Sequence, residues 1–221
     1  MAIRTRKDGF SWSELKTLIP ASLDAGVATV VFGSPGLGKS ALACALADKY
    51  KLPLVDIRLA QQEPGDLAGV YFPDKSRERL QLLPPGWVQD LVESPAFLFL
   101  DEINAAVSPL HQSVAYQMVL ERRLGPYVFH PETVILAAGN LEEDDALTTP
   151  LSSALSNRFA QYRMRVDSDG WLDWARSEGV HTSIIAYVAR HGSGVLYDRK
   201  PGEAAFPSPR SWSMASRVME R

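Results

Sequence analysis

Gly33-Ser-Pro-Gly-Leu-Gly-Lys-Ser40 meets every fixed position of the phosphate-loop pattern G-x-x-x-x-G-K-[ST]. Glycine at 33, 36 and 38 lets the backbone take left-handed turns and come close to a phosphate chain. The loop Gly33, Ser34, Pro35, Gly36, Leu37 and Gly38 can then present its N–H groups as a nest for anionic oxygens. Lys39 can reach the outer phosphates, and Ser40 can place its hydroxyl on Mg²⁺. Lys39 also falls in the first turn of a predicted helix, where the macrodipole disfavours a cation by about 0.3–1 kcal/mol. A bound polyphosphate reverses that penalty.

The flanks supply the context the pattern requires. Val27-Ala-Thr-Val-Val-Phe32 is a short apolar run that reads as a strand. Ala41 to Tyr50 reads as a helix with Leu42, Ala45, Leu46 and Tyr50 on one face. A chance glycine-rich turn is the competing reading, and strand, loop and helix in this order argue against it.

Phe97-Leu-Phe-Leu-Asp101-Glu102 adds a second element. An apolar strand here delivers two carboxylates at its C-terminal end, where ligands bind in open α/β sheets. Asp101 is suited to hold Mg²⁺, through water, and Glu102 to orient and polarise an attacking water. Phosphoryl transfer needs both charge neutralisation and a positioned nucleophile. Alone the pair is as readily a solvated turn; downstream of a phosphate loop it reads as a Walker B motif. Asn140, in Ala138-Gly-Asn140, can hold a lytic water or a γ-phosphate, or can be a simple turn residue. Arg158, in Leu155-Ser-Asn-Arg-Phe159, can neutralise transition-state charge or make a surface salt bridge. Local sequence leaves both pairs of readings open. Arg210, in Ser208-Pro-Arg-Ser-Trp212, falls in the first turn of the last predicted helix, a poor place for a cation unless an anion is near.

The bulk properties narrow the class. The chain has 221 residues, 46% of them hydrophobic and 22% charged, as in ordinary globular proteins. Its formal charge of −3 offers no broad basic field for nucleic acid. The single cysteine, Cys44, excludes an internal disulfide, fits a reducing compartment and is expected in the core. His111, His130, His181 and His191 lack metal-ligand spacing. Met1 to Phe10 is polar and basic, unlike a signal peptide. No apolar run approaches the ~20 residues that span a bilayer. A cytoplasmic protein is expected.

Along the chain, Ser11-Trp-Ser-Glu14 is a capping box that starts a helix, which Pro20 is expected to interrupt. Strands are predicted near 27–32, 52–57, 96–100, 133–138 and 160–166. Residues 58–90, rich in Pro and Gly, read as irregular structure broken by short helices. Ser108-Pro109 caps a helix whose apolar face is Leu110, Val114 and Met118. Leu124 to Tyr127 turns the chain. Helices follow at 169–178, at 182–190 and from about Ser211. Alternating strands and helices predict a mainly parallel α/β sheet.

Taken together, these residues resemble an AAA+ ATPase, most nearly of the MoxR and CbbQ/NorQ type, close to dynein-related AAA domains. The resemblance rests on Gly33–Ser40, Pro64-Gly-Asp-Leu-Ala-Gly69, Pro85-Gly-Trp-Val88, Leu100-Asp-Glu-Ile-Asn104, Leu120-Glu-Arg-Arg123, Ala138-Gly-Asn140 and Leu151-Ser-Ser-Ala-Leu-Ser-Asn-Arg-Phe159. It implies a P-loop NTPase core over 1–166, a parallel sheet sandwiched by helices, and a small helical lid over 167–221. The lid is shorter than the family pattern, and segment 121–131 is short for the hairpin that often precedes sensor 1. The resemblance also implies ATP as substrate with Mg²⁺, Asn140 as sensor 1, Arg158 as an arginine finger for a neighbouring subunit, and Arg210 as sensor 2. It implies a homo-oligomer, usually a hexameric ring, that remodels a protein partner, in MoxR-type systems often a von Willebrand A-domain protein. Segment 70–83, with Tyr71, Phe72 and charged residues from Asp74 to Arg79, either faces a pore or partner or is a solvated loop. Two other functions compete: a nucleotide-switched assembly platform with little turnover, and a nucleic-acid motor or loader. Intact Glu102, Asn140 and Arg158 disfavour the first, and the acidic charge balance disfavours the second.

Overall fold

The apolar run at 97–101 forms a strand buried along its whole length, and the sheet is built around it. The computed structural model describes residues 8–74, 76, 78–105, 109–144, 148, 150–151, 153–200, 203 and 205–221; at 64, 109, 110, 142, 154 and 155 it describes the backbone alone. The basic segment before residue 8, the Ser108 cap, the Leu110 side chain and residues 75 and 77 of the charged patch therefore lie outside the described residues.

The order of elements begins with α1 (Trp12–Asp24), β1 (Thr29–Phe32), α2 (Lys39–Tyr50), β2 (Leu54–Arg58) and α3 (Pro64–Ala68). It continues with β3 (Val70–Asp74), β4 (Arg79–Leu83), α4 (Gly86–Glu93), β5 (Phe97–Asp101) and α5 (Pro109–Tyr116). Then come β6 (Arg123–Leu124), β7 (Tyr127–Val128), β8 (Val134–Gly139), α6 (Ser153–Ser156) and β9 (Ala160–Arg163). The helices α7 (Ser168–Ser177), α8 (Thr182–His191), α9 (Ser193–Leu196) and α10 (Pro209–Met219) follow. Five strands form one parallel sheet in the order β2-β5-β8-β1-β9.

Period-two alternation divides the strand side chains between two cores. Val30, Leu98, Leu100, Ile135 and Ala137 pack on one face with Leu67, Leu91, Val114 and Met118. Val31, Phe97, Phe99, Leu136 and Ala138 pack on the other with Leu15, Ile19, Leu42 and Leu46. Both faces are covered, which is why these strands read as unbroken apolar runs. The helices after β9 gather a third cluster around Trp171, Ile184, Val188 and Leu196, joined by Trp212 of α10.

Several local expectations need correction. Helix α1 runs through Pro20, because Leu15, Ile19 and Leu23 bury the same face on either side of it. That apolar burial offsets the one backbone hydrogen bond a proline removes. Helix α2 buries Leu42, Ala43, Leu46 and Ala47, so Ala45 and Tyr50 are only half-buried and Cys44 is exposed. Segment 58–90 is more regular than its composition suggests. It holds α3, α4 and an antiparallel hairpin, β3–β4, in which Pro73 pairs with Leu80. A two-stranded ribbon tolerates proline because its outer edges need no partner. The hairpin stands out from the body, with Tyr71 65% and Phe72 61% exposed. Helix α5 continues as a π-helical turn, Gln117–Glu121, and α10 begins at Pro209, earlier than expected.

Candidate active site

Strand order fixes the site. β8 lies between β5 and β1, with Leu100 beside Ala137 and Phe32 beside Gly139. The phosphate loop after β1, the Asp101-Glu102 pair ending β5 and Asn140 after β8 therefore emerge side by side at the C-terminal edge of the sheet. Neighbouring strands are about 4.8 Å apart, so the three segments fall within one ligand's reach.

The loop takes the expected left-handed turns at two of its three glycines. Gly36 and Gly38 have φ of 87° and 97°, the left-handed region that glycine enters at little cost. Gly33 does not; there the constraint is contact, since a Cβ would sit 3.0 Å from the Cβ of Met164. Lys39 is the hub. Its Nζ donates to the carbonyl oxygens of Gly33, at 2.5 Å, and Ser34, at 3.2 Å, and to Oδ1 of Asn140, at 2.9 Å. Burial lowers its pKa to about 8, opposed by the charges of Asp101, Asp144 and Glu102 and aided by Arg210. Ser40 Oγ donates to Oδ2 of Asp101 at 3.0 Å, and the other carboxylate oxygen of Asp101 accepts from the Glu102 N–H at 2.9 Å. Glu102 itself holds φ of 57°. A left-handed backbone at a non-glycine residue is uncommon and is found disproportionately at functional sites. The paired hydroxyl and carboxylate of Ser40 and Asp101 are hard oxygen donors of the kind Mg²⁺ takes.

The C-terminal helices close over the loop. The Arg210 backbone N–H donates to the Gly36 carbonyl at 3.3 Å, and a Cβ on Gly36 would meet Ser208 at 2.9 Å. Arg210 is thus held at the phosphate loop by its own main chain, with its side chain exposed. Between loop and helices lies a cavity of about 600 Å³ lined by Trp12, Gly36, Gly38, Ser40, Trp171 and Arg210. That volume is within the range of small-molecule sites.

Arg158 is elsewhere. It precedes β9 and lines a second cavity, of about 700 Å³, with Ala28, Pro95 and Thr133 at the N-terminal edge of the sheet. Its guanidinium lies 5.4 Å from the centre of the Tyr116 ring and donates to the Tyr116 hydroxyl. Exposed and remote from Lys39, it does not join the cluster in its own chain.

Three further residues belong to the cluster although the sequence reading gives them no role. Asn104 is 2% exposed, donates from Nδ2 to the Asn140 carbonyl at 2.7 Å and accepts the Asn140 N–H on Oδ1 at 2.9 Å. It thereby clamps the backbone of the residue that meets Lys39. Gly139 makes room, since a Cβ there would fall 2.7 Å from that Oδ1. A buried amide two residues past the carboxylate pair was the available signal. Asp144 accepts from Ser34 Oγ at 2.9 Å and faces Arg199 at 3.7 Å. In sequence Asp144 sits in the acidic run Glu142-Glu-Asp-Asp145, which carries no motif.

A phosphate loop on a parallel sheet, with paired carboxylates two strands away across β8, defines a P-loop nucleotide-hydrolysing domain. Comparison with known families is more specific: residues 29–163 match the ATPase family associated with various cellular activities, AAA. The chain belongs to that family, whose activity is ATP hydrolysis. Midasin of Giardia intestinalis is 29% identical over 169 residues, 71% of this chain and 3% of that protein. The chain therefore spans a small fraction of that relative's length. Among solved structures, a candidate ATPase from Cytophaga hutchinsonii aligns with TM-score 0.56 at 22% identity, over 76% of this chain and 51% of that one. A point-substituted RuvB of Thermotoga maritima aligns with TM-score 0.57 at 17% identity, over 95% and 64%. Both share the fold. No helix among the described residues is long and apolar enough to cross a membrane.

Proposed function

We propose that this chain is a MoxR-like, Mg²⁺-dependent ATPase that works as a homo-oligomeric ring, usually of six subunits, and remodels a protein partner. The observation that carries the reading is Lys39 Nζ, bonded at once to the phosphate loop and to Asn140 beside the Ser40–Asp101 pair. Its partners are two carbonyls and an amide oxygen, groups it can exchange for phosphate oxygens without leaving a buried donor unpaired. Residues up to 166 form the nucleotide-binding core and 167–221 the lid, in keeping with the separate apolar cluster of α7–α10.

ATP lies with its phosphates along Gly33–Ser40 and its base in the cavity beneath Trp12 and Trp171. Ser40 and Asp101 would hold Mg²⁺, which when bound neutralises charge on the phosphate oxygens. Glu102 takes the proton of the attacking water, and Asn140 fixes that water against the γ-phosphate. Arg210 adds positive charge from the lid. Arg158, exposed at the far edge of the sheet, serves the site of the adjoining subunit. A von Willebrand A-domain protein is the partner class the MoxR-type motifs suggest.

Steady-state ATP hydrolysis against protein concentration, with light scattering at the same concentrations, tests this reading. Activity rising with oligomer formation is expected. Hydrolysis by a monomer, independent of concentration, would overturn the shared-site arrangement.

A further inference from the structure

Arg158 is held by a neutral side chain from a distant part of the sequence. Its own segment is fixed on both sides. Phe159 is buried in the core on one face of the sheet. Across the turn between α6 and β9, Gln161 Nε2 donates to the Ser156 carbonyl at 2.7 Å and to Ser156 Oγ at 2.9 Å. The Arg158 side chain then meets Tyr116, 42 positions earlier. Tyr116 packs against the same core as Phe159 and ends α5, just before the π-helical turn Gln117–Glu121. Such turns are rare, and many of them lie at functional sites.

Two contacts fix the guanidinium. Its carbon lies 5.4 Å from the centre of the Tyr116 ring, and Nη1 donates to the Tyr116 hydroxyl. The ring attracts the cation, and the hydroxyl selects one edge of it. Neither contact cancels the charge. Arg123, Arg163, Arg165, Arg176 and Arg199 each face a carboxylate. Among the described residues Arg158 pairs with none, although Asp24 and Glu132 line the same cavity. Asp24 instead accepts from the Tyr50 hydroxyl at 2.6 Å. A guanidinium carries five N–H donors. Among the described residues Tyr116 takes one of them, and the others remain to meet an anion.

We propose that Tyr116 is the positioning residue of Arg158: its ring and hydroxyl preset the guanidinium for the nucleotide of an adjoining subunit without neutralising it. The inference rests on the reading of Arg158 as a group that serves a neighbouring site. A carboxylate in place of Tyr116 would hold the arginine as firmly but cancel the charge that phosphate needs. An unheld arginine would keep its charge but lose its rotamer freedom on entering the site. A preset donor avoids that loss when the transition state forms.

Steady-state ATP hydrolysis by variants of the full chain tests it. Tyr116→Leu keeps an apolar side chain against the core and loses both contacts. It should lower kcat about a hundredfold with KM unchanged, the cost of a misplacement of about 1 Å. Tyr116→Phe keeps the ring and should lose about tenfold. Light scattering should show the same oligomer as the unaltered chain. Mixing subunits separates positioning from damage. Glu102→Gln subunits cannot hydrolyse but carry a sound Arg158, so they should restore turnover at Tyr116→Leu sites. Arg158→Ala subunits should restore none. A merely structural defect would spoil the Tyr116→Leu subunit's own site and would resist rescue. Rescue of Arg158→Ala by Glu102→Gln, without rescue of Tyr116→Leu, overturns the role of Tyr116 and leaves the arginine finger standing. Unaltered turnover in either Tyr116 variant overturns it as well. If Glu102→Gln rescues neither variant, the finger reading falls, and the role of Tyr116 with it.

Discussion

Lys39 should make nucleotide binding take up a proton in alkaline solution. Burial lowers its pKa from 10.5 to about 8, while Asp101, Asp144 and Glu102 hold it up and Arg210 pushes it down. At a pKa of about 8, Lys39 is about 10% neutral at pH 7 and about 90% neutral at pH 9. A polyphosphate beside it raises its pKa again, so the complex holds Lys39 charged at both values. The sign follows: affinity is fully present below about pH 8 and is lost as pH rises through that value. Binding should absorb roughly 0.1 proton at pH 7 and roughly 0.9 at pH 9. Between pH 8.5 and 9.5 affinity should fall about eightfold. Phosphate, with its last pKa of about 6, contributes little in this window.

Calorimetric titration of ATPγS in two buffers of different ionisation enthalpy counts the protons, and circular dichroism checks the fold at each pH. Lys39→Met should bind more weakly, with an affinity independent of pH and no proton uptake. Equal uptake at pH 7 and pH 9, or uptake that survives Lys39→Met, would refute the assignment of a depressed, phosphate-facing lysine.

The remaining groups make separable predictions. Glu102→Gln should retain ATP binding and lose turnover, because the amide cannot take the water's proton; normal hydrolysis by this variant would remove Glu102 from its role. Asn104→Ala strands the Asn140 N–H and carbonyl, at about 1–3 kcal/mol for each buried group left unpaired. Its melting temperature and kcat should both fall, whereas Asn104→Asp, which still accepts the N–H, should lose less; identical losses would show that the clamp does not position Asn140. Arg158→Ala should leave binding intact and abolish the dependence of specific activity on protein concentration, and an unchanged dependence would place the finger elsewhere.

The parts legible in the sequence are those whose signal is local. The phosphate loop needs particular φ angles and a short reach to a helix N-terminus, so eight consecutive residues from Gly33 carry it. The strand 97–101 is readable because a strand covered on both faces must be apolar throughout. The β3–β4 hairpin escaped for the opposite reason: it buries almost nothing, so no alternation marks it, and Pro73 argues against a strand. Cys44 was misplaced because α2 is apolar over most of its surface, and only contacts with α1, β5 and β8 select Leu42, Ala43, Leu46 and Ala47 as its inner face.

The site's second layer was illegible because it joins residues distant in the chain. Ser34 and Asp144 are separated by 110 positions, and Asn104 and Asn140 by 36. Their contacts exist because β8 inserts between β5 and β1, an order no local pattern encodes. That insertion has a functional consequence. Were β1 paired directly with β5, Lys39 could face Asp101 without Asn140 between them, and a strong ion pair would hold the lysine away from phosphate. With Asn140 beside it, Lys39 donates to neutral oxygens, while the Asp101 charge still acts on it. The exchange for a charged ligand then runs downhill, because hydrogen bonds to charged groups are stronger than those to neutral ones. The same arrangement leaves Asp101 to accept from Ser40. Strand order thus decides which carboxylate pairs with which donor, and the phosphate loop alone does not.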